Sequence, residues 1–146
     1  MITEQITTAP VVKEVTISVP ASAVWKAITD KEQMKHWYFD MKNFEPLAGY
    51  HFTFDSDCEG EHYRQICCVT EVIRNKKLSY TWAYDGYVGE SLVTFELFEE
   101  NGGTKLVLTH AGLETFPQDN KNFAKECFAE GWEKMLYVEL AKFFNN

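Results

Sequence analysis

A histidine at the end of an alternating apolar segment is the strongest candidate for polar chemistry in this sequence. Leu106, Leu108 and His110 share one face of a predicted strand, and Gly112 follows where that strand must end. A buried imidazole in this position can orient a bound molecule or move a proton near neutral pH. It can equally be a core histidine whose nitrogens are satisfied by hydrogen bonds to backbone or to a tyrosine. The sequence leaves both interpretations open.

Aromatic residues are frequent and fall on faces that can point to a common interior. They make up 15% of the 146 residues, as 11 Phe, 7 Tyr and 4 Trp. Either they fill a solid core or they line a ligand pocket, since such pockets are mostly apolar with a few polar groups. We predict a cavity for an apolar, aromatic or lipid-like small molecule, with His110 and Tyr80 as polar anchors. Its predicted lining residues are Trp37, Phe52, Tyr80, Trp82, Phe95, His110, Phe128 and Trp132.

The sequence contains no motif for metal binding, nucleophilic catalysis or phosphate binding. The four histidines and four cysteines form no HxH, HExxH or CxxC unit, and the adjacent Cys67 and Cys68 point to opposite faces of a strand. No GxSxG nucleophile elbow and no phosphate-binding loop is present. Glu71 is the carboxylate with the most central position, although a solvent-facing strand residue is the commoner case. We therefore expect no catalytic residue of a known motif, no metal, no cofactor and reduced cysteines.

Length and charge limit the remaining function classes. The formal net charge is -8, so a nucleic acid partner is excluded by repulsion. No apolar segment approaches the roughly 20 residues of a membrane-spanning helix, and the polar start lacks the features of a signal peptide, so we expect a cytoplasmic protein. A chain of 146 residues predicts one domain, here residues 11–146 after a loose lead-in at residues 1–10.

The periodicity of apolar residues predicts an α+β order of elements. Two short helices at residues 21–29 and 31–37 follow the first strand, with Asp30 as the cap of the second. One long amphipathic helix covers residues 119–144, and its Gly131 is expected to allow a close backbone approach to the sheet or the cavity mouth. The predicted strands cover residues 11–19, 50–55, 61–73, 78–84, 91–98 and 104–111, the last five forming an antiparallel meander.

Four segments in this order carry a resemblance to a known family. They are VPASAVWKAITD at residues 19–30 with Trp37 soon after, VIRNKKLSYTW at 72–82, LVLTHAGL at 106–113 and GWEKML at 131–136. Their order and spacing resemble the helix-grip superfamily of START-related, birch-pollen-allergen-like and polyketide cyclase proteins (SRPBCC). Within it they resemble the activator of heat-shock-protein-90 ATPase homologue family, over nearly the whole chain.

This resemblance implies a fold and three functions. The fold is α+β, a helix-grip with a curved antiparallel sheet of about seven strands around a long C-terminal helix and an apolar cavity between them. The first expected function is binding of an apolar small molecule. The alternative is a co-chaperone-like regulator of a heat-shock-protein-90 ATPase, and the third is a polyketide cyclase or dehydratase-like enzyme. A chaperone partner and a homodimer are left open, because one fold serves several functions.

Overall fold

A computed structural model describes residues 9–145, so most of the predicted lead-in at residues 1–10 lies outside the described part. One sheet packs its apolar face against the helices. The strands are β1 Val11–Ile17, β2 His51–Cys58, β3 Glu61–Ile73, β4 Lys77–Tyr84, β5 Ser91–Glu100 and β6 Gly103–Ala111. The helices are α1 Ala21–Thr29, α2 Lys31–Trp37, α3 Lys125–Glu133, a π-helical segment Lys134–Glu139 and α4 Leu140–Phe144, with short 3-10 turns at Leu113–Thr115 and Lys121–Phe123.

The sheet has the order β1-β6-β5-β4-β3-β2, and every neighbouring pair is antiparallel. Strands β2 to β6 pair in chain order, which confirms the predicted meander and the α+β class. The described residues form six strands instead of about seven. Residues 38–50 form no strand, and they contain Pro46, which has no amide hydrogen for a strand ladder, and Gly49 at φ 91°.

A β-bulge in β3 bends the sheet. The pairing of β3 with β4 advances from Val69 to Glu71 while β4 moves by only one residue, so Thr70 is the extra residue. A bulge of this kind bends its strand and increases the local twist. Before the bulge Cys67 and Val69 point into the core, whereas Ile66 is 41% exposed. Both faces of β3 carry apolar residues at this point, and the burial shows that the face with Cys67 and Val69 is the one that packs against the core.

The two short helices α1 and α2 occupy the predicted residues. The Asp30 side chain accepts a hydrogen bond from the Glu32 backbone N–H at 3.0 Å and so caps α2 as expected. Between the two helices, the indole N–H of Trp37 donates to the backbone carbonyl of Ala27 at 2.8 Å. Glu71 lies outside the core, with its carboxylate 3.0 Å from Lys77 Nζ on the sheet surface.

The C-terminal helix begins later than the sequence predicts. Asn120 caps the short 3-10 turn by accepting a hydrogen bond from the Asn122 backbone N–H, and α3 starts only at Lys125. Side chains such as Asn bond to nearby backbone groups and so compete with regular helix. No helix of residues 9–145 is long and apolar enough to cross a membrane.

A π-helical segment in the middle of this helix keeps its apolar residues on the sheet. Phe128, Trp132, Leu136 and Leu140 are all buried and are spaced by four residues. An α-helix turns about 100° per residue, so residues four apart drift by about 40° around the axis at each step. The wider turns of the π-segment Lys134–Glu139 counter this drift, and the last two leucines therefore stay buried.

Gly89 in the connection between β4 and β5 gives the first testable prediction. It has φ 107°, and an added Cβ would lie 2.5 Å from the Thr115 carbonyl oxygen and 2.7 Å from a Phe116 ring carbon. We expect Gly89→Ala to lower the free energy of unfolding by about 3 kcal/mol, from the clash together with the left-handed backbone. Urea unfolding measures this change.

Gly86 in the same connection is the matched control. Its φ is 84°, but an added Cβ would meet no atom within 4 Å. Gly86→Ala should therefore cost only about 1 kcal/mol, the price of the left-handed backbone for a residue with a side chain. Equal losses for the two variants would contradict the proposed contact between this connection and residues 115–116.

Candidate ligand site

A cavity of about 170 Å³ lies between the sheet and the C-terminal helix. Its walls come from β2, β3 and β4 on one side and from α3 and the turn before it on the other. A few polar side chains and two thiols complete a mostly aromatic surface. The aromatic lining residues are Phe39, Tyr63, Trp82, Tyr84, Phe123, Phe128 and Trp132.

Strand alternation and register place the sheet side of this wall. Tyr63 and Gln65 on β3 point inward, as do Trp82 and Tyr84 on β4. The pairing of Gln65 with Tyr84 puts these two residues side by side in neighbouring strands. Residues two apart on one strand share a face, so the four side chains form one continuous patch.

The structure brings three of the eight predicted lining residues to the cavity: Trp82, Phe128 and Trp132. The other five are buried in the surrounding core and do not border the cavity: Trp37, Phe52, Tyr80, Phe95 and His110. Phe95, for example, packs edge-to-face on Trp132 with ring centroids 5.8 Å apart. The apolar pattern therefore identifies core residues, and only part of the core faces open space.

Tyr80, predicted as a polar anchor, already has a partner inside the protein. Its hydroxyl lies 2.6 Å from the hydroxyl of Tyr38, and the two form a partly buried hydrogen bond. Burial raises the pKa of both tyrosines well above the ordinary value, so both stay neutral. The Tyr38 ring also stacks on Trp132 at 5.7 Å. This pair ties the segment after α2 to the sheet and the C-terminal helix.

His110 is likewise fully buried and satisfied on both ring nitrogens. The indole N–H of Trp132 donates to His110 Nδ1 at 3.0 Å, so Nδ1 carries no hydrogen. The proton therefore lies on Nε2, which donates to Ser91 Oγ at 2.7 Å. Ser91 in turn donates to the backbone carbonyl of Trp82 at 2.9 Å. Burial lowers the pKa of His110 to about 3.

This chain of hydrogen bonds defines what His110 does in the fold. It joins the C-terminal helix, through Trp132, to β6, β5 and β4 in sequence. A general base needs a free lone pair that can take a substrate proton. The lone pair of His110 is occupied by Trp132, so the arrangement is that of a structural histidine.

Two cysteines lie at the cavity with their sulfur atoms close together. Cys58 at the end of β2 and Cys127 in α3 both line the cavity, and their Sγ atoms are 3.9 Å apart. Burial raises the pKa of Cys127 to about 11, which leaves it protonated near neutral pH. All four cysteines are free thiols. Among residues 9–145, no cluster of three or more His, Cys, Asp or Glu could hold a metal ion.

Two larger grooves on the surface differ from the cavity in having more charged and polar residues along their walls. One of about 580 Å³ runs between residues 40–43 and β2, and charged side chains such as Asp55 and Arg64 border it. Asp55 and Arg64 pair with each other at 3.2 Å. A second of about 740 Å³ lies over the β3–β4 turn and is bordered by charged residues such as Arg74 and Lys76 together with the exposed Ile73 and Phe98. Both grooves are bordered largely by charged and polar side chains, whereas the 170 Å³ cavity is bordered mostly by aromatic residues.

Twelve of the fifteen residues that border the cavity are not among the predicted lining residues, and Tyr84, Gln65 and Phe39 show why. Tyr84 follows Tyr80 and Trp82 at a spacing of two, and this period could have placed it beside Trp82. Gln65 carries no comparable signal, because a polar residue on a strand is normally solvent-exposed. Phe39 lies in a loop, where no periodicity applies.

Residues 18–145 match the family model described as activator of Hsp90 ATPase homolog 1-like protein. No curated protein matches the chain. The matched residues include all of the helices and all of the strands except β1.

Solved structures are similar over almost the whole chain. Protein MLL2253 from Mesorhizobium loti is 30% identical with a TM-score of 0.74, and the alignment covers 93% of this chain and 96% of that one. Protein BH1534 from Bacillus halodurans is 27% identical with a TM-score of 0.74, covering 95% and 99%. CalU16 from Micromonospora echinospora is 25% identical with a TM-score of 0.70, covering 91% and 74%.

These similarities agree with the architecture described above. The resemblance seen in four sequence segments extends over the length of the family model, and the sheet and the C-terminal helix are those of similar solved structures. The chain belongs to the activator of Hsp90 ATPase homolog 1-like protein family.

Proposed function

We propose that this protein binds a small apolar or aromatic molecule in the cavity between the sheet and the C-terminal helix, without covalent chemistry. The observation that carries the proposal is an aromatic cavity that the core leaves open at about 170 Å³. An apolar cavity of about 150 Å³ in another protein is enough to hold benzene. Aromatic rings such as Trp82, Phe128 and Trp132 offer a flat ligand both stacking and edge contacts.

The state of the polar residues supports binding over catalysis. His110 has both nitrogens engaged, and the Tyr38 and Tyr80 hydroxyls are paired with each other. Burial raises the pKa of the Cys67 thiol, and its side chain is enclosed in the core. Each of these groups, which a proton-transfer or nucleophilic mechanism would need, is therefore neutral and enclosed.

Native mass spectrometry of the protein purified from its own cells tests the proposal. A bound molecule at one-to-one stoichiometry that is lost on denaturation is the expected result. If the protein carries no adduct and a panel of apolar ring compounds produces no thermal stabilisation, the proposal is wrong, because a ligand that binds the folded state must raise its stability.

Gly131 allows the cavity to be blocked without removing any native contact, which is the second testable prediction. It lines the cavity between Cys127 and Met135 on one face of the helix, and an added Cβ would meet no atom within 4 Å. The open space beside it, and not a close backbone approach, therefore distinguishes this position. We expect Gly131→Leu to fill the cavity and lower the affinity for ring compounds at least tenfold, measured by calorimetry.

Glu130→Leu is the matched control, because it adds the same side chain to the exposed neighbouring position of the same helix. It should leave the affinity unchanged. The Gly131 variant should also keep its thermal stability, since replacing a helical glycine gains about 1 kcal/mol in helix propensity. Unchanged affinity in a folded Gly131→Leu protein would place the ligand elsewhere.

The family description supports a second candidate, a regulator of a chaperone ATPase. Such a role would use the outer surface, and the cavity variants would leave it intact. Pull-down with Hsp90-type chaperones, together with the ATPase rate, distinguishes it from ligand binding. Binding that survives Gly131→Leu would favour the chaperone role. A cyclase-like reaction, the third function implied by the resemblance, would instead require product formation that Gly131→Leu abolishes.

A further inference from the structure

Two polar atoms buried at the cavity wall have no hydrogen-bond partner among residues 9–145. They are the indole Nε1–H of Trp82, a donor, and the side-chain Oε1 of Gln65, an acceptor. Both residues line the cavity, and they are only 4% and 2% exposed. Buried polar groups are almost always paired in folded proteins, so two unpaired groups at one cavity indicate a partner that comes from outside the chain.

The neighbours of Gln65 fix which of its atoms is free. Its amide Nε2 donates to Ser56 Oγ at 2.6 Å, which leaves Oε1 unpaired. Tyr84 is the shared neighbour of these two residues, because it pairs with Gln65 across β3 and β4 and lies two residues from Trp82 on the same face of β4. The donor and the acceptor therefore belong to one inward patch of the cavity wall.

The charges around the cavity exclude an ionic ligand. Its lining contains no lysine, arginine or histidine that could neutralise an anion. Its one charged lining residue, Asp57, is largely exposed and lies 3.0 Å from His62 Nδ1 on the protein surface. A charge buried without a partner is strongly disfavoured, so the bound molecule must be neutral.

We infer that the cavity recognises a neutral single-ring molecule bearing a hydroxyl group, as in phenol. The hydroxyl oxygen accepts a hydrogen bond from Trp82 Nε1–H, and its hydrogen is donated to Gln65 Oε1. The ring lies among the rings of Phe39, Phe128 and Trp132. A volume of about 170 Å³ admits one such ring with a small substituent. The inference rests on the proposed function and adds the chemical class of its ligand.

Three compounds of nearly equal size separate the contributions of donor and acceptor. Phenol can accept and donate, anisole can only accept, and toluene can do neither. Calorimetry on the wild-type protein should show that phenol binds at least tenfold more tightly than toluene, with anisole between them. Toluene is the least soluble in water, so hydrophobic transfer alone gives the opposite order.

Two substitutions test the named atoms. Trp82→Phe keeps an aromatic ring and removes the N–H, and Gln65→Met keeps the length of the side chain and removes the amide. Either variant should reduce the preference for phenol over toluene to less than threefold while toluene still binds. Circular dichroism and thermal unfolding check that the variants are folded. If one variant does not fold, the relative affinities of phenol, anisole and toluene for the wild-type protein still test the inference.

The outcomes distinguish this inference from the proposed function. If toluene binds as tightly as phenol and Gly131→Leu abolishes both, the cavity binds ligands but the hydroxyl preference is wrong. If none of the three compounds binds at millimolar concentration, both the ligand class and the cavity proposal fail. A tenfold preference for phenol that neither Trp82→Phe nor Gln65→Met changes would overturn the assignment of the two atoms.

Discussion

Trp132→Ala is expected to lower the free energy of unfolding by about 5 kcal/mol. Trp132 is 1% exposed, stacks on Tyr38 and contacts the rings of Trp82 and Phe95. Truncating a buried tryptophan to alanine costs about 3–5 kcal/mol through lost burial and the cavity that remains. The change also removes the donor to His110 Nδ1, and an unpaired buried acceptor adds about 1–3 kcal/mol.

Such a loss approaches the whole stability of many small proteins, about 5–15 kcal/mol, so a milder variant is needed. Trp132→Phe keeps most of the ring contacts and removes only the N–H and part of the ring. We expect it to cost about 2 kcal/mol in urea unfolding and to leave a measurable folded state. A loss below about 2 kcal/mol for Trp132→Ala would contradict the role of this residue as the link between the helix and the sheet.

Most helices and strands could be predicted from the sequence, because each is determined by residues within or next to the element itself. Alternation along β3 to β6 gives the inward faces, and Asp30 ends one helix and begins the next. The sequence predicts too early a start for the C-terminal helix, at residue 119, because Asp119 and Asn120 are both residue types that cap helices. Asn120 instead caps a 3-10 turn, and α3 begins only at Lys125.

Periodicity in the sequence predicts the six strands that the structure contains, whereas the resemblance implies about seven. The π-helical segment has no comparable signal in the sequence. The π-helical turns over Lys134–Glu139 depend on how Leu136 and Leu140 fit the curved sheet. This fit is a tertiary constraint, and helix propensity does not contain it.

The residues of the candidate site could likewise be predicted only in part, because local sequence pattern identifies core residues but not which of them border a cavity. Trp82 and Trp132 could be selected because large aromatic residues on inward faces belong to the core. Which core residues border open space depends on packing between distant elements, so Phe95 and Tyr80 lie outside the cavity. The sequence does not single out Gln65, because its burial follows from its inward position on an inner strand of the sheet and not from its own chemistry.

Acid is expected to destabilise the protein through His110. Burial lowers the pKa of His110 to about 3 in the folded state, whereas a histidine in an unfolded chain has a pKa of about 6.5. Between these two values the unfolded chain binds a proton that the folded chain does not bind. Stability therefore falls as the pH is lowered from 6.5 toward 3, by about 1.4 kcal/mol per pH unit. His110 alone should make the protein about 2 kcal/mol less stable at pH 5 than at pH 7.

His110→Gln isolates this contribution, because glutamine is uncharged throughout the range and the carboxylates of the two proteins are the same. Urea unfolding from pH 7 to pH 4.5 should show a shallower loss of stability in the variant, with the difference growing below pH 6.5. If both proteins lose stability in parallel, His110 is already protonated when folded. A protonated His110 could not accept the Trp132 N–H, so the hydrogen-bond chain from helix to sheet, and the structural role derived from it, would be wrong.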